Sequence, residues 1–341
     1  MLGGLAGALL LPGCAKPRAK LALYNWGDYL ARSVIDGFAL REQGAGRPLD
    51  ITEDFYLSEA EMAAKLRAWA PYDVVFPIDY LVDQLVHAGS LRELHLASLP
   101  HAEHLDVRFG PYIAKDDRIY AIPYLWGTTG IGYDSEKVDA PTSWQALFDP
   151  RWSGRISVID SKGDVMDQAL LAAGMSINSN DKQLIKDEVW PRLLAQKELL
   201  RAYDSNPARA LVRGETWIAQ IDSGDLLRAQ EEKPSLRYVI PEEGAAVWTD
   251  YLAIPAAAAA AEIGLRFIDY LLEPEIAAAN ANELHFATPN RTALDRGLID
   301  AKDNPQIYPP EELMKKLQKS DNWLGGTGEL VDEIWLDLRG G

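Results

Sequence analysis

Residues 20–41 read KLALYNWGDYLARSVIDGFALR. Residues 21–26 form a short apolar and aromatic run, the pattern of a buried strand. Asp28 then stands where a helix N-cap belongs, ahead of a helix expected over 29–41 with an apolar face of Tyr29, Val34, Phe38 and Leu40. The pair of elements recurs twice. Residues 49–56 are strand-like, and a helix over 58–70 opens with SEAE, a capping-box pattern. A third strand, YDVVFP over 72–77, leads to a helix over 80–88, for which Asp79 is a candidate cap. Strand and helix alternating in this way imply a parallel sheet with helices on both faces. Ligands of such sheets sit beyond the carboxyl ends of the strands. Trp26, Asp28, Tyr29, Asp79 and Tyr80 all fall there.

Further along, YAIPYLWGTTGIGY over 120–133 is long, extended and interrupted by glycine, and reads as a crossing between two lobes. A second α/β stretch follows: strands over 155–159, 217–221 and 236–240, and helices over 165–173, 181–196 and 224–230. VWTDYLAI over 247–254 is extended again and reads as the return crossing. Helices are expected over 256–272, 310–318 and 328–338. The expected architecture is therefore α/β with two lobes, two crossover strands and a cleft between them, the form of a hinged binding protein. The expected first lobe is 20–125 plus 249–294, and the second 126–248 plus 295–341.

The chain has 341 residues, long enough for two cores. Its net charge of −17 disfavours nucleic acid, which needs a basic face, and suits a cationic ligand. The same acidity also serves a secreted protein simply as a source of solubility. Ten Trp and fourteen Tyr supply core mass and ligand-facing rings alike. The single cysteine, Cys14, leaves no internal disulfide.

Residues 1–13, MLGGLAGALLLPG, are apolar and uncharged and end at Cys14. They read as the apolar part of a signal peptide closing on a lipobox, Leu11-Pro12-Gly13-Cys14. On that reading Cys14 becomes the lipidated N-terminus, and 14–19 is a tether to the folded body. The expected location is the periplasm, anchored to a membrane through lipid only. The apolar run is too short to span a bilayer.

Several motifs lie in order from about residue 20 to the end: Tyr24-Asn25-Trp26-Gly27-Asp28-Tyr29, Tyr72-Asp73-Val74-Val75, and Ile122-Pro123-Tyr124-Leu125-Trp126-Gly127-Thr128. Thr142-Ser143-Trp144, Trp248-Thr249-Asp250 and Thr288-Pro289-Asn290 follow. In these the chain resembles the bacterial periplasmic polyamine-binding proteins of the spermidine/putrescine ABC importers. The resemblance implies the two-lobed (type II) periplasmic binding protein fold, a polyamine ligand, an ABC permease as partner, no cofactor, and a monomer. By matching position it further implies that Trp26, Tyr29, Tyr80 and Trp248 line the site. Asp28, Asp164, Asp225 and Asp250 would meet the ligand's amines, with Phe286 in place of a usual Tyr. Asp222 stands where the family has a tryptophan, Ser161 where a second carboxylate is usual, and Ile78 where a small hydroxyl residue is. Asp222 keeps a cation as ligand and is counted with the site.

Each of these residues also has a plainer reading. Trp26 and Trp248 serve equally as core residues, Asp28 and Asp79 as helix caps, Asp222 and Asp225 as a solvated loop. Trp126 and Trp144 are assigned to packing, and Trp323 to neither. His101 and His104 have an HxxH spacing without further ligands, so no metal is expected. There is no GxSxG elbow, P-loop, HExxH or dinucleotide fingerprint, so an enzyme is not expected. The rival readings are another cationic ligand, opine-like or an amino sugar, and a polyamine sensor in place of a transport component.

Overall fold

The computed structural model describes residues 18–113, 117–321, 323 and 325–340. The apolar leader and Cys14 lie outside the described residues, as does most of the expected tether. At its end the tether is already folded: Arg18 pairs with Asp50 at 3.0 Å and donates to the Leu49 carbonyl at 3.0 Å, and the first strand begins at Ala19.

Among the described residues eleven strands form one sheet. In chain order they are β1 (Ala19–Asn25), β2 (Leu49–Phe55), β3 (Val74–Val75), β4 (Tyr112–Ile113), β5 (Ile119–Asp134), β6 (Ile156–Ile159), β7 (Leu200–Asp204), β8 (Ile218–Asp222), β9 (Leu236–Val239), β10 (Ala245–Ala253) and β11 (Leu317–Gln318). Their spatial order is β2-β1-β3-β10-β5-β8-β6-β7, with β4 and β9 pairing β5, and β11 pairing β10. β1 is parallel to β2 and β3, and β6 is parallel to β7 and β8. Between these two parallel groups run β5 and β10, antiparallel to each other and to β8 and β3 respectively, while β10 pairs β11 in parallel. They are the two crossings expected from sequence, and they join the lobes into one sheet.

In the first lobe, helices α1 (Arg32–Gly44), α2 (Glu59–Arg67) and α3 (Asp79–His87) cover the sheet. Period-two alternation divides β1 between two cores. Leu21 and Leu23 pack with Val34, Phe38 and Phe267, whereas Tyr24 packs with Tyr56, Met62 and Leu85 on the other face. The second lobe repeats the layering: Val158, Ile218 and Leu170 lie on one face with helix α4 (Lys162–Ala172), and Ala219, Ile221 and Leu226 on the other. The chain stays against the first core through Ile299 and Tyr308, and its last helix, Gly326–Arg339, packs into the second through Val331 and Ile334.

Local details depart from expectation for visible reasons. Asp28 caps no helix: it sits at φ 55° in a left-handed turn, and α1 starts four residues later with Ala31 as N-cap. The Ala31 amide is met instead by Asn280 Oδ1 at 3.0 Å. Asp79 is the first residue inside α3, with Ile78 as the cap. The helix expected from 256 begins at Ala261, because Arg92 draws the carbonyls of Ala256 and Ala258 outward, at 3.2 and 2.8 Å. Ser58 does cap α2, accepting from the Glu61 amide at 3.2 Å. Trp126 and Trp144 are buried, and the Trp144 indole donates to the Gly244 carbonyl at 2.8 Å.

Candidate functional site

The carboxyl ends of β1 and β3 in one lobe and of β6 and β8 in the other point toward the seam that β5 and β10 cross. Aromatic rings and carboxylates gather there.

Tyr29, Phe286 and Trp248 form a run of edge-to-face rings. Tyr29 and Phe286 are 5.3 Å apart at 75°, and Phe286 and Trp248 are 5.5 Å apart at 65°. Two glycines make room for it. A Cβ on Gly127, opposite Trp248 in the β5–β10 ladder, would come within 2.5 Å of the indole. A Cβ on Gly224 would come within 2.4 Å of Phe286. Gly224 belongs to helix Ser223–Glu232 of the second lobe, so Phe286 is a point of contact between lobes. The neighbouring His285 pairs with Glu231 of that helix at 3.2 Å. Trp26, after β1, stands against Tyr56, with ring centroids 4.2 Å apart.

Asp250 is 5% exposed, and its Oδ1 has no hydrogen-bond partner among the described residues. It sits where the β5–β10 register shifts, between Asp250 and Tyr251. Burial pushes its carboxyl up to about 8, the Tyr29 hydroxyl pulls it down, and Asp79 and Glu59 raise it further. Asp222 accepts from Trp248 Nε1 at 3.1 Å and from Thr129 Oγ1 at 2.7 Å. Burial, then the neighbouring Asp164 carboxylate, hold it well above the ordinary range. Asp164, in the first turn of α4, is raised by burial too.

Asp225 is raised by burial and lowered by Arg228, whose Nη2 donates to Oδ1 at 2.6 Å; Asp28 faces it and raises it. Tyr80 lies beside Glu59, Asp164 and Asp79, and burial holds its phenol well above its usual value. The structure places Tyr29, Phe286 and Trp248 in one run of rings, and Asp250, Asp222, Asp164 and Tyr80 among interacting carboxylates. Asp28 and Asp225 form an outer pair. Tyr29 lies beside Asp250, and Tyr80 and Asp222 beside Asp164.

Two residues of the constellation, Asp167 and Glu59, escaped the sequence reading, and a third, Asp79, was read both as a strand-end residue and as a helix cap. Asp79 is 4% exposed, and burial pushes its carboxyl up to about 6 despite Lys319 at 3.5 Å. Asp167, one helical turn beyond Asp164, is 5% exposed with an unpartnered Oδ1. Glu59, in the first turn of α2, interacts with Tyr80. The i, i+3 spacing of Asp164 and Asp167 was the available signal. Asp79 was obscured by its place at a helix start. His101 and His104 are engaged elsewhere, with Asp269 at 2.8 Å and Thr292 at 3.1 Å.

The whole arrangement is a line of interacting carboxylates, in contact with rings, across a two-lobed cleft. The description "bacterial extracellular solute-binding protein" fits the family model that matches residues 49–309. The chain belongs to that family. This solute-binding protein is 30% identical to the spermidine/putrescine-binding periplasmic protein of Escherichia coli, over 98% of this chain and 97% of that one. It is also 30% identical to a putrescine/agmatine-binding protein of Pseudomonas aeruginosa, over 95% and 93%. Among solved structures it resembles a putative spermidine/putrescine ABC transporter protein from Listeria monocytogenes. The TM-score is 0.84 and the identity 29%, over 94% of this chain and 98% of that one. The solute-binding protein thus has the two-lobed fold expected from its sequence.

Proposed function

We propose that this solute-binding protein captures a polyamine, putrescine or spermidine, in the periplasm and delivers it to an ABC permease. Asp250 carries the reading: a buried carboxylate with an unpartnered oxygen, beside Tyr29 and next but one to Trp248 in β10. A buried carboxylate of that kind calls for a cation or a proton. A polyamine offers ammonium groups for Asp250 and for the Asp164–Asp222 pair, and methylenes for the rings. Burying a stem of roughly four methylenes contributes about 0.8 kcal/mol per CH₂. Each cation–π contact adds about 0.5–2 kcal/mol, and each charged hydrogen bond about 1.5–3 kcal/mol. Several kcal/mol of association entropy oppose these gains, and micromolar or tighter binding remains. The chemistry is non-covalent, so the protein is not an enzyme. It acts as a monomer, held to the membrane by lipid on Cys14, and Cys14→Ala releases it.

Calorimetric titration of the purified protein with putrescine, spermidine and an anionic control tests the reading. Micromolar binding of one polyamine supports it; binding of neither overturns it. One observation favours a second ligand class. Asp222 supplies a carboxylate where a ring is expected, which also suits an opine-like compound or an amino sugar. Adjacent permease and ATPase genes distinguish transport from sensing.

A further inference from the structure

Each cleft carboxylate interacts with the next: Asp250 with Asp79, Asp79 with Asp167, Asp167 with Asp164, and Asp164 with Asp222. Among the described residues two of the chain's own cations form ion pairs with this acidic line or with Asp225 next to it. Arg228 holds Asp225 from the same helix, three residues away. Lys319 is different, because it reaches Asp79 from the other lobe.

The segment that carries Lys319 is fixed to the second lobe. β11 pairs with β10 through Leu317 and Gln318. Gln318 Oε1 accepts from Ser176 Oγ at 2.6 Å and from the Ile177 amide at 3.2 Å. Asn178 takes the Lys319 carbonyl at 2.9 Å and the Asp321 amide at 2.8 Å, and Ser320 Oγ donates to Asp167 Oδ2 at 3.0 Å. From this anchored backbone the Lys319 side chain extends to Asp79, the first residue of α3 in the first lobe. Its Nζ lies 3.5 Å from Asp79 Oδ2, longer than a hydrogen bond, and the lysine is half-exposed while the carboxylate is buried. A flexible ammonium loosely held on a buried carboxylate is a displaceable ligand.

We propose that Lys319 is a resident counter-cation. It straps the two lobes together at Asp79 and stands where one further ammonium of a ligand would bind. This rests on the polyamine reading of the cleft and makes it more specific: with Lys319 in place, the cleft favours the diamine over the triamine. Asp79 lies between Asp250 and Asp167, so a chain with an additional amine has to expel Lys319 to use it.

The test is Lys319→Gln, read in two ways. Titration with putrescine and spermidine gives an affinity ratio, expected to move at least tenfold toward spermidine. Adding Asp79→Asn removes that gain, since no carboxylate is left to compete for. Small-angle scattering of the ligand-free protein gives the second reading: the variant is expected to have the larger radius of gyration. An affinity ratio unchanged within twofold overturns the competition, and an unchanged radius of gyration overturns the strap. If the unmodified protein binds neither polyamine, the polyamine reading falls and the competition with it. The radius of gyration then still decides the strap.

Discussion

The indole Nε1 of Trp248 donates to Asp222 Oδ1 over 3.1 Å, although the two residues lie on strands separated by β5. The bond passes above Gly127, which pairs with Trp248 and has no side chain to obstruct it. Ring and carboxylate are therefore placed by an absence on the strand between them. Thr129, two residues along the same strand, donates to the same carboxylate oxygen at 2.7 Å.

Gly127→Ala tests that arrangement. Its methyl would lie 2.5 Å from the indole, so the ring must swing aside and surrender Asp222. Polyamine affinity measured by calorimetry is expected to drop at least tenfold, with a change in tryptophan emission. Unaltered affinity and emission would show that the ring position is immaterial.

Asp250→Asn keeps the shape and removes the charge. A charged hydrogen bond is worth about 1.5–3 kcal/mol, and about 1.4 kcal/mol is tenfold in affinity. Polyamine binding is therefore expected to weaken by about tenfold to a hundredfold. Above pH 8, where Asp250 is ionised without ligand, the variant should gain thermal stability, since a buried charge has been removed.

Binding should depend on pH with a definite sign. Asp250 titrates at about 8 and Asp79 at about 6 in the ligand-free protein, both above the usual 3.8. Ammonium capture needs the carboxylate form, so affinity should rise between pH 6 and 8 and binding should release protons. Titrations in buffers of different ionisation enthalpy read that release directly. The ligand-free protein behaves in the opposite sense. Its folded state holds protons that the unfolded chain has lost, so their stabilising contribution is full below about pH 4 and disappears as pH rises through 6 and 8.

Gly224→Ala addresses the contact between lobes. Its Cβ would meet Phe286 at 2.4 Å, forcing the ring toward Tyr29 and Trp248 or the lobes apart. Ligand affinity should fall about tenfold, and Phe286→Leu in the same background should restore part of it. A tighter complex in Gly224→Ala would show that the ring approaches from elsewhere.

Most of the fold was legible because its signals were local. The apolar runs at β1, β2 and β3 and the capping box at Ser58 fix the first lobe, and the long extended stretches at β5 and β10 mark the crossings. The candidate site was read from residues at strand ends. Asp167 was not, and Asp79 was only in part, since an aspartate at the start of a helix has an adequate local explanation; only the approach of the other lobe makes it part of a cleft. Asp28 shows the converse. It looks like a cap, yet α1 has no side-chain cap, and the amide of its N-cap residue Ala31 is met by Asn280, about 250 residues away in sequence, which no local pattern encodes.

The two crossing strands have a mechanical consequence. Any rotation of one lobe against the other must be absorbed as twist in the β5–β10 ribbon, and twist concentrates where a ladder slips register. That slip lies between Asp250 and Tyr251. A buried carboxylate with an unpartnered oxygen is thus mounted on the axle, where displacement is smallest. A solute seated there early is a fixed post, and the remaining groups travel to it like the arms of a clamp.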